Sequence, residues 1–481
     1  MNVLPIVQIL GFLLILLSFL MTLPVNLLAL GDTPDWQAFV KSATVCFVIG
    51  LTALGLAGRK KHALRQRQMF MLTVSAWIVI PLVSSMPLLL SDLNLSVTDA
   101  FFESISGVTT TGSTVLVGLD HLPDDILLWR SIMQWMGGIG IIGMAVAILP
   151  FLRIGGMRLF ATESSEWSEK VVPRTNSLAR SLVLIYLGLT ASCILTYWLL
   201  GMNLFEALNH ALTTVSTGGY STSDNSMGQF DSLPILLAST VFMAIGGMPF
   251  FLFVRFAHGQ RQPLLRDQQV RFYLVLLVIV ALLLTVYRLF NESVDPIEAF
   301  VHALFNVTSV VTTTGFASQD YSLWGPFAVV IFLFITFVGG CSGSTAGGMK
   351  IFRFQLSMLL LREQVRRLLH PHAVFARKYN GRLISDDIVA SSVAFSFIFL
   401  ATLALVTAIL GALGLDLVTS LSGAATALTN VGPGLGDTIG PAGNFQPLPD
   451  PAKWVLMIAM VLGRLELLSV FVMLSGDFWR S

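Results

Sequence analysis

Ten long apolar runs divide this sequence, at about 4–30, 37–57, 69–91, 126–151, 177–201, 231–257, 271–291, 325–361, 386–413 and 451–476. Each reaches the roughly 20 residues that carry a helix across a bilayer. From the third run onward, every pair of runs encloses a shorter helical segment of about a dozen residues, at 97–108, 204–215, 297–311 and 416–428. A dozen residues make roughly 18 Å of helix, enough to reach mid-membrane and too little to cross. Each short segment runs into a Thr- and Gly-rich turn: Thr109-Thr110-Thr111-Gly112-Ser113, Val215-Ser216-Thr217-Gly218-Gly219, Thr312-Thr313-Thr314-Gly315-Phe316 and Thr429-Asn430-Val431-Gly432-Pro433. The last eight runs therefore group as four units of helix, half-helix, turn and helix, and internal repetition of this kind is an architectural signal.

The pattern predicts an all-α integral membrane protein, with four pseudo-repeated helix–pore-loop–helix units around a central ion pore and an N-terminal transmembrane helix hairpin. The expected boundaries are 1–68 for the hairpin and its basic loop, then 69–152, 153–258, 259–362 and 363–481 for the four units. Composition agrees: of 481 residues, 55% are hydrophobic and 11% charged, against about 25% charged in soluble domains. The first run is too long for a signal-peptide core and lacks a basic n-region and a small-residue cleavage site, so it reads as a retained helix. A net charge of +1 gives no indication of nucleic-acid binding. Cys46, Cys193 and Cys341 lie in apolar contexts without CxxC spacing and read as buried small residues.

Charge orients the spans. Arg59, Lys60, Lys61, Arg65 and Arg67 follow the second run, and Arg153, Arg158, Lys170 and Arg174 the fourth. Arg261, Arg266 and Arg271 follow the sixth, and Arg362, Arg366, Arg367, Arg377, Lys378 and Arg382 the eighth. Basic loops face the cytoplasm, which places both termini there and all four turns in outward loops. The outward loops carry acids such as Asp32, Asp99, Asp120, Asp224 and Asp320, read as ordinary solvated charge.

Non-helical backbone at membrane depth is tolerated only where it is buried in protein or lines a wet cavity. Glycine opens backbone conformations closed to other residues, and rings of carbonyls replace the hydration shell of K⁺. Half-helices ending at mid-membrane also aim the negative ends of their dipoles at the cavity. Small residues serve close helix packing as well, but four turns in matching positions favour an ion site. The candidate filter backbone is Thr110, Thr111 and Gly112 in the first unit and Thr217 and Gly218 in the second. In the third it is Thr313, Thr314 and Gly315, and in the fourth Asn430, Val431 and Gly432. His210 and His302 lie on the half-helices without a second ligand at metal spacing and read as groups satisfying buried polar atoms.

The eighth run is broken by Gly339-Gly340-Cys341-Ser342-Gly343-Ser344-Thr345-Ala346-Gly347-Gly348-Met349-Lys350. A phosphate-cradling loop fails on spacing, because no Gly-Lys-Ser/Thr follows and no β/α context exists. Shorter echoes, Gly137-Gly138-Ile139-Gly140 and Gly246-Gly247-Met248-Pro249, read as sites of close packing or modest kinks. Arg464 lies about thirteen residues into the last run, roughly 20 Å deep, where a charge is a functional hypothesis by default. Glu466, two positions on, would fall on nearly the opposite helix face.

The four turns, the stretch 339–350 and Gly463-Arg464-Leu465-Glu466-Leu467 together resemble the TrkH/TrkG/KtrB/HKT superfamily of K⁺ transporters, over essentially the whole chain, and the N-terminal helix pair resembles its TrkH-type members. The resemblance implies uptake of K⁺, the substrate, across the bacterial inner membrane through a gated, carbonyl-lined pore. It implies one filter glycine per repeat, carried here by Gly112, Gly218, Gly315 and Gly432. Na⁺-preferring plant relatives have Ser at the first of these, so Gly112 favours K⁺. It further implies that 339–350 obstructs the pore below the filter, with Gly340, Ser342, Gly343, Ser344, Thr345, Gly347 and Lys350 in the gate and Arg464 bonding the loop's carbonyls. Finally, it implies a homodimer and a separate TrkA-type cytosolic subunit with Rossmann domains. This chain has no such fingerprint, so nucleotide control would come through the partner, docked on basic loops such as 362–382. The rival readings are a Na⁺-selective or a Na⁺- or proton-coupled transporter of the same architecture. A membrane enzyme lacks a convergent catalytic set, and an alternating-access carrier requires inverted repeats, whereas these four units share one orientation.

Overall fold

A computed structural model describes residues 3–27, 33–58, 64–147, 175–373 and 375–480. Arg59, Lys60, Lys61, Arg153, Arg158, Lys170, Arg174 and Asp32, used above for orientation, lie outside the described residues. Helix dominates what remains, as the apolar periodicity predicts. The N-terminal hairpin pairs Leu4–Met21 with Trp36–Ala57. These helices meet at glycine: a Cβ on Gly11 would lie 2.9 Å from Gly50 O, and one on Gly50 2.8 Å from Ile15 Cγ1.

Four units follow, each with a first helix, a half-helix and a second helix. The first helices are Gln66–Ser84, continued by Met86–Leu90, then Thr175–Leu199, Gln268–Asn291 and Asp386–Ala412. The half-helices are Val97–Val108, Leu204–Val215, Pro296–Val311 and Leu417–Thr429, within a residue of the predicted limits. The second helices differ more. Asp124–Ala147 runs unbroken, and glycines let it pack closely: a Cβ on Gly137 would lie 2.0 Å from Val108 O. In the second unit Leu233–Gly246 and Phe250–Ala257 are bent by 94°. The expectation of packing or a modest kink at 246–249 is therefore corrected to a full break, because Pro249 lacks an N–H and cannot continue the helix. In the third unit Pro326–Thr336 and Ile351–Leu369 flank the predicted irregular stretch. In the fourth, Asp450–Arg464 and Leu468–Leu474 are parted by a break absent from the sequence expectation. Glu466 and Leu467 sit there at φ +53° and +45°.

Among the described residues, seven helices are long and apolar enough to span a membrane, and eight if the bent pair counts as one. The two interrupted runs, 325–361 and 451–476, account for the difference from the ten read in the sequence. Peripheral helices turn large apolar side chains outward, as Phe272, Val275, Val278, Ile279 and Leu282 do on Gln268–Asn291. In a soluble protein so wide an apolar surface would be a liability; here it faces lipid. This is a multi-pass membrane protein. A short antiparallel hairpin, Lys378–Tyr379 with Arg382–Leu383, connects helices Ile351–Leu369 and Asp386–Ala412.

Candidate functional site

The half-helices are fixed at both ends by their own sequences. At the N-terminal end Ser96, Asn203, Asp295 and Asp416 accept hydrogen bonds from first-turn backbone N–H groups, the N-cap arrangement these residue types favour. At the C-terminal end each half-helix is closed by a bond reaching five residues back, as in a Schellman motif. Thr111 N donates to Ser106 O at 2.8 Å, Gly218 N to Thr213 O at 2.8 Å, Thr314 N to Ser309 O at 2.8 Å and Val431 N to Thr426 O at 3.1 Å. The residue before each donor is left-handed: Thr110, Thr217, Thr313 and Asn430 have φ of 53–57°. This position usually belongs to glycine, and a left-handed residue with a side chain costs roughly 1–2 kcal/mol. Such strain persists where surrounding bonds over-determine it. Thr109, Ser216, Thr312 and Thr429 each donate a hydroxyl to the carbonyl four residues back, so these hydroxyls are scaffold.

Two residues beyond each strained position stands a left-handed glycine: Gly112, Gly219, Gly315 and Gly432, with φ of +86°, +79°, +84° and +111°. In each case the missing side chain makes room for the next unit. A Cβ on Gly112 would lie 2.2 Å from Gly218 O, one on Gly219 1.8 Å from Thr314 O, one on Gly315 2.0 Å from Val431 O and one on Gly432 2.8 Å from Thr111 O. The seams run from unit one to two, three, four and back to one, so the turns form a closed ring. All four glycines line one cavity of about 210 Å³, together with Ser113, Tyr220 and Pro433. The fourth seam is the loosest, in the unit whose sequence departs most.

This ring corrects the expected register of the second unit. Gly218 occupies the place of Thr111, Thr314 and Val431, and Gly219 that of the left-handed glycines. The misreading has a simple cause: unit two has two adjacent glycines, and only backbone conformation tells them apart. Gly218 has its own constraint. Its O accepts Gln134 Nε2 at 2.6 Å, and Gln134 Oε1 accepts Tyr220 N at 3.0 Å.

Behind the ring, a polar strut ties each half-helix to the strand of chain after its turn. In the first unit Glu103 accepts Val115 N at 3.0 Å and Arg130 Nε at 2.7 Å, with both side chains buried. Arg130 also donates to Ser221 O at 3.0 Å and lies 4.1 Å from the Tyr220 ring centroid, joining units one and two. In the second, His210 Nε2 meets Ser221 Oγ at 3.0 Å; in the third, Asn306 Oδ1 accepts Ser318 N at 3.1 Å; in the fourth, Ser422 Oγ accepts Leu435 N at 3.0 Å. His302 Nδ1 meets Ser318 Oγ at 2.8 Å. Both histidines thus satisfy buried polar groups, and among the described residues no cluster of three or more metal-ligating side chains occurs. Sequence reasoning missed the Glu103–Arg130 pair, although an acid inside a half-helix and an Arg early in the next span were both visible.

Below the ring lies the 339–350 loop. Its stems touch at two left-handed glycines, since a Cβ on Gly348 would meet Gly339 Cα at 2.5 Å. Above, Gly347 N donates to Thr313 Oγ1 at 2.7 Å, Gly348 N to Thr429 O at 2.9 Å and Thr217 Oγ1 to Thr345 Oγ1 at 3.1 Å. Sideways, Cys341 N and Thr345 N donate to Gly247 O and Gly246 O, and Phe250 N donates to Gly343 O. The two broken helices therefore satisfy each other's freed backbone groups, as irregular backbone in a membrane requires. Gly340 packs against Gly247, Ser344 Oγ donates to Cys341 O at 2.6 Å, and Lys350 Nζ donates to Ala346 O. Arg464 Nη1 donates to Thr345 O at 3.0 Å, while Nε and Nη2 have no hydrogen-bond partner among the described residues. Glu466 is not on the opposite face of a continuing helix; the break turns it to Arg353 Nη2, at 2.6 Å.

The family model described as TrkH, cation transport protein, matches residues 35–481. The Trk system potassium uptake protein TrkI of Halomonas elongata is 50% identical, covering 99% of this chain and 97% of its own length. The Trk system potassium uptake protein TrkH of Escherichia coli K12 is 36% identical over 99% of both chains. The crystal structure of the potassium transporter TrkH from Vibrio parahaemolyticus superposes with a TM-score of 0.92 at 38% identity, covering 100% of both chains.

Proposed function

Because the chain belongs to the TrkH family of cation transport proteins, we propose that it carries K⁺ inward across the bacterial inner membrane through a gated pore lined by backbone carbonyls. Proteins similar to it along their full length are named potassium uptake proteins. The observation that carries the reading is the closed ring of left-handed glycines, one per unit, each opposed by a neighbour's carbonyl. Backbone oxygens at a fixed spacing can substitute for the water around a weakly hydrated cation. The filter comprises Thr110–Gly112, 217–219, 313–315 and 430–432, with Gly219 completing the second unit. The units follow the boundaries 69–152, 153–258, 259–362 and 363–481, and both termini face the cytoplasm.

The 339–350 loop is the gate, obstructing the pore directly beneath the filter. Arg464 holds it through Thr345 O and places a positive charge on the route of an exiting cation. A homodimer and a cytosolic nucleotide-binding subunit of the TrkA type complete the system, the subunit docking on the basic 362–382 region. Reversal potentials in liposomes under separate K⁺, Na⁺ and pH gradients test the proposal. A potential that follows K⁺ alone supports it. One that tracks Na⁺ or pH would replace it with the sodium-selective or coupled alternative.

A further inference from the structure

We propose that Asn380, in the hairpin between helices Ile351–Leu369 and Asp386–Ala412, is a positioning residue for the 339–350 loop, acting through the N-terminus of helix Gln268–Asn291. The proposal rests on reading that loop as the gate.

The hairpin pairs Lys378 with Leu383 and Tyr379 with Arg382, leaving Asn380-Gly381 as a two-residue turn. Both are left-handed, at φ +48° and +79°, as the Asn-Gly type I′ turn requires. The Asn380 side chain is not spent inside this turn. Its Nδ2 donates to Asp267 Oδ2 at 2.8 Å, its Oδ1 accepts Gln268 N at 2.9 Å, and its backbone N donates to Gln268 Oε1 at 3.2 Å. Asp267 is the N-cap of that helix: its other oxygen accepts Gln269 N at 2.8 Å and Val270 N at 2.9 Å. The hairpin turn and the helix start, more than a hundred residues apart in sequence, thus share one set of hydrogen bonds.

The next residue carries the connection to the loop. Gln269 is buried, and its Oε1 accepts Ser342 N at 2.6 Å. Ser342 follows Cys341, which is bonded to the broken second-unit helix, and precedes Thr345, whose O is held by Arg464. The helix after the loop is tied to the same point, since Gln355 Nε2 donates to Gln268 O at 3.0 Å and accepts Tyr379 Oη through Oε1 at 2.6 Å. Arg377 anchors the hairpin to its flanking helices through Glu363 and Asp386. A displacement of the hairpin therefore reaches Ser342 through Asp267–Gln269 without first unwinding a helix. The node secures the closed loop, and a partner that moves the hairpin releases it.

Gly tolerates the left-handed turn, so Asn380→Gly removes the side-chain bonds and keeps the hairpin. Full-length protein in proteoliposomes should then show basal K⁺ flux raised at least about threefold, the scale of one or two lost hydrogen bonds, with an unchanged K⁺/Na⁺ ratio. Gln269→Leu should act alike, and the double variant should exceed neither by much. Asn380→Asp sets a carboxylate against Asp267 and should also raise flux. Adding Asp267→Asn restores a donor–acceptor pair while keeping the cap oxygen, and should return flux to the wild-type level, a rescue that general loosening would not give. Arg464→Ala is the control for the gate. If it raises flux while Asn380→Gly, of unchanged melting temperature, does not, the positioning role is overturned and the gate reading stands. If neither raises flux, the gate reading fails and the proposal falls with it. Additive single variants, or failure of the rescue, would also overturn it.

Discussion

Ala in place of Gly219 separates the ring seen in the structure from the register read in the sequence. At φ +79° an L-residue costs roughly 1–2 kcal/mol. The larger effect is steric: the new methyl would lie 1.8 Å from Thr314 O and 2.8 Å from Thr314 C. Ordinary carbon–oxygen contact begins near about 3.3 Å, so that carbonyl must retreat by roughly 1.5 Å. Backbone blocks this methyl, and no side-chain rotation relieves it. In Gly218→Ala the methyl would instead strike Gln134 Cδ and Oε1, both at 2.4 Å, and Cβ at 2.9 Å; the far end of that side chain can swing aside, and the Cβ contact asks for a shift of only a few tenths of an ångström. The cost there is the pair of bonds from Gln134 to Gly218 O and Tyr220 N, about 1–3 kcal/mol of stability. The control Gln134→Leu removes those bonds and leaves the glycine. Bi-ionic reversal potentials in proteoliposomes give the K⁺/Na⁺ permeability ratio, and melting in detergent gives stability. Gly219→Ala should lower the ratio at least tenfold, about 1.4 kcal/mol. Gly218→Ala and Gln134→Leu should mainly lower the melting temperature. A folded Gly219→Ala protein of wild-type ratio, beside a Gly218→Ala protein that has lost it, would refute the ring register.

Gly112→Ser places its Cβ 2.2 Å from Gly218 O at a left-handed position and should also shift the permeability ratio toward Na⁺ by several-fold; an unchanged ratio would remove Gly112 from the filter. Arg464→Ala deletes the bond to Thr345 O and the charge below the ring, and should raise basal K⁺ flux severalfold, against which unchanged flux at normal expression would count. Glu103→Ala strands the buried Arg130 guanidinium and should cost about 3–5 kcal/mol, seen as a markedly lower melting temperature in detergent. An unshifted transition would mean the pair contributes nothing to holding the first two units together.

The spans and half-helices were legible because their signals are local. Apolar runs have a length, and four matched turns repeat in register. The breaks below the ring were only partly legible. The glycine density of 339–350 announced one, whereas Pro249 looked like a kink until its neighbours' freed groups were found bonded to the loop. The fourth break has no glycine or proline within 465–467; local bonds from Glu466 N to Gly463 O and Leu467 N to Leu462 O close the helix there, and Glu466 pairs with Arg353. The second-unit register was not recoverable from composition at all. Gly218 and Gly219 are chemically identical, and what distinguishes them is the carbonyl of another unit standing where a side chain would be.

The repeats agree where a cation would touch them and diverge where it would not. Around the ring the backbone is nearly fourfold, with left-handed φ at the same two positions of every turn. Behind it the same strut is built from a carboxylate with an Arg, an imidazole, an amide and a hydroxyl, at Glu103, His210, Asn306 and Ser422. A strut need only leave no buried polar group unpaired, so its chemistry is free to drift. A ring of ligands is held to equal geometry, since one carbonyl out of place leaves the ion short of a neighbour. Below the ring the requirement reverses, because a single-file route needs only one obstruction. In the proposed gate the third unit would supply it, and the second and fourth are broken where they contact that loop, at Gly246–Pro249 and around Arg464 and Glu466. In the proposed gate, asymmetry there would let one loop move while the four turns above it keep their places.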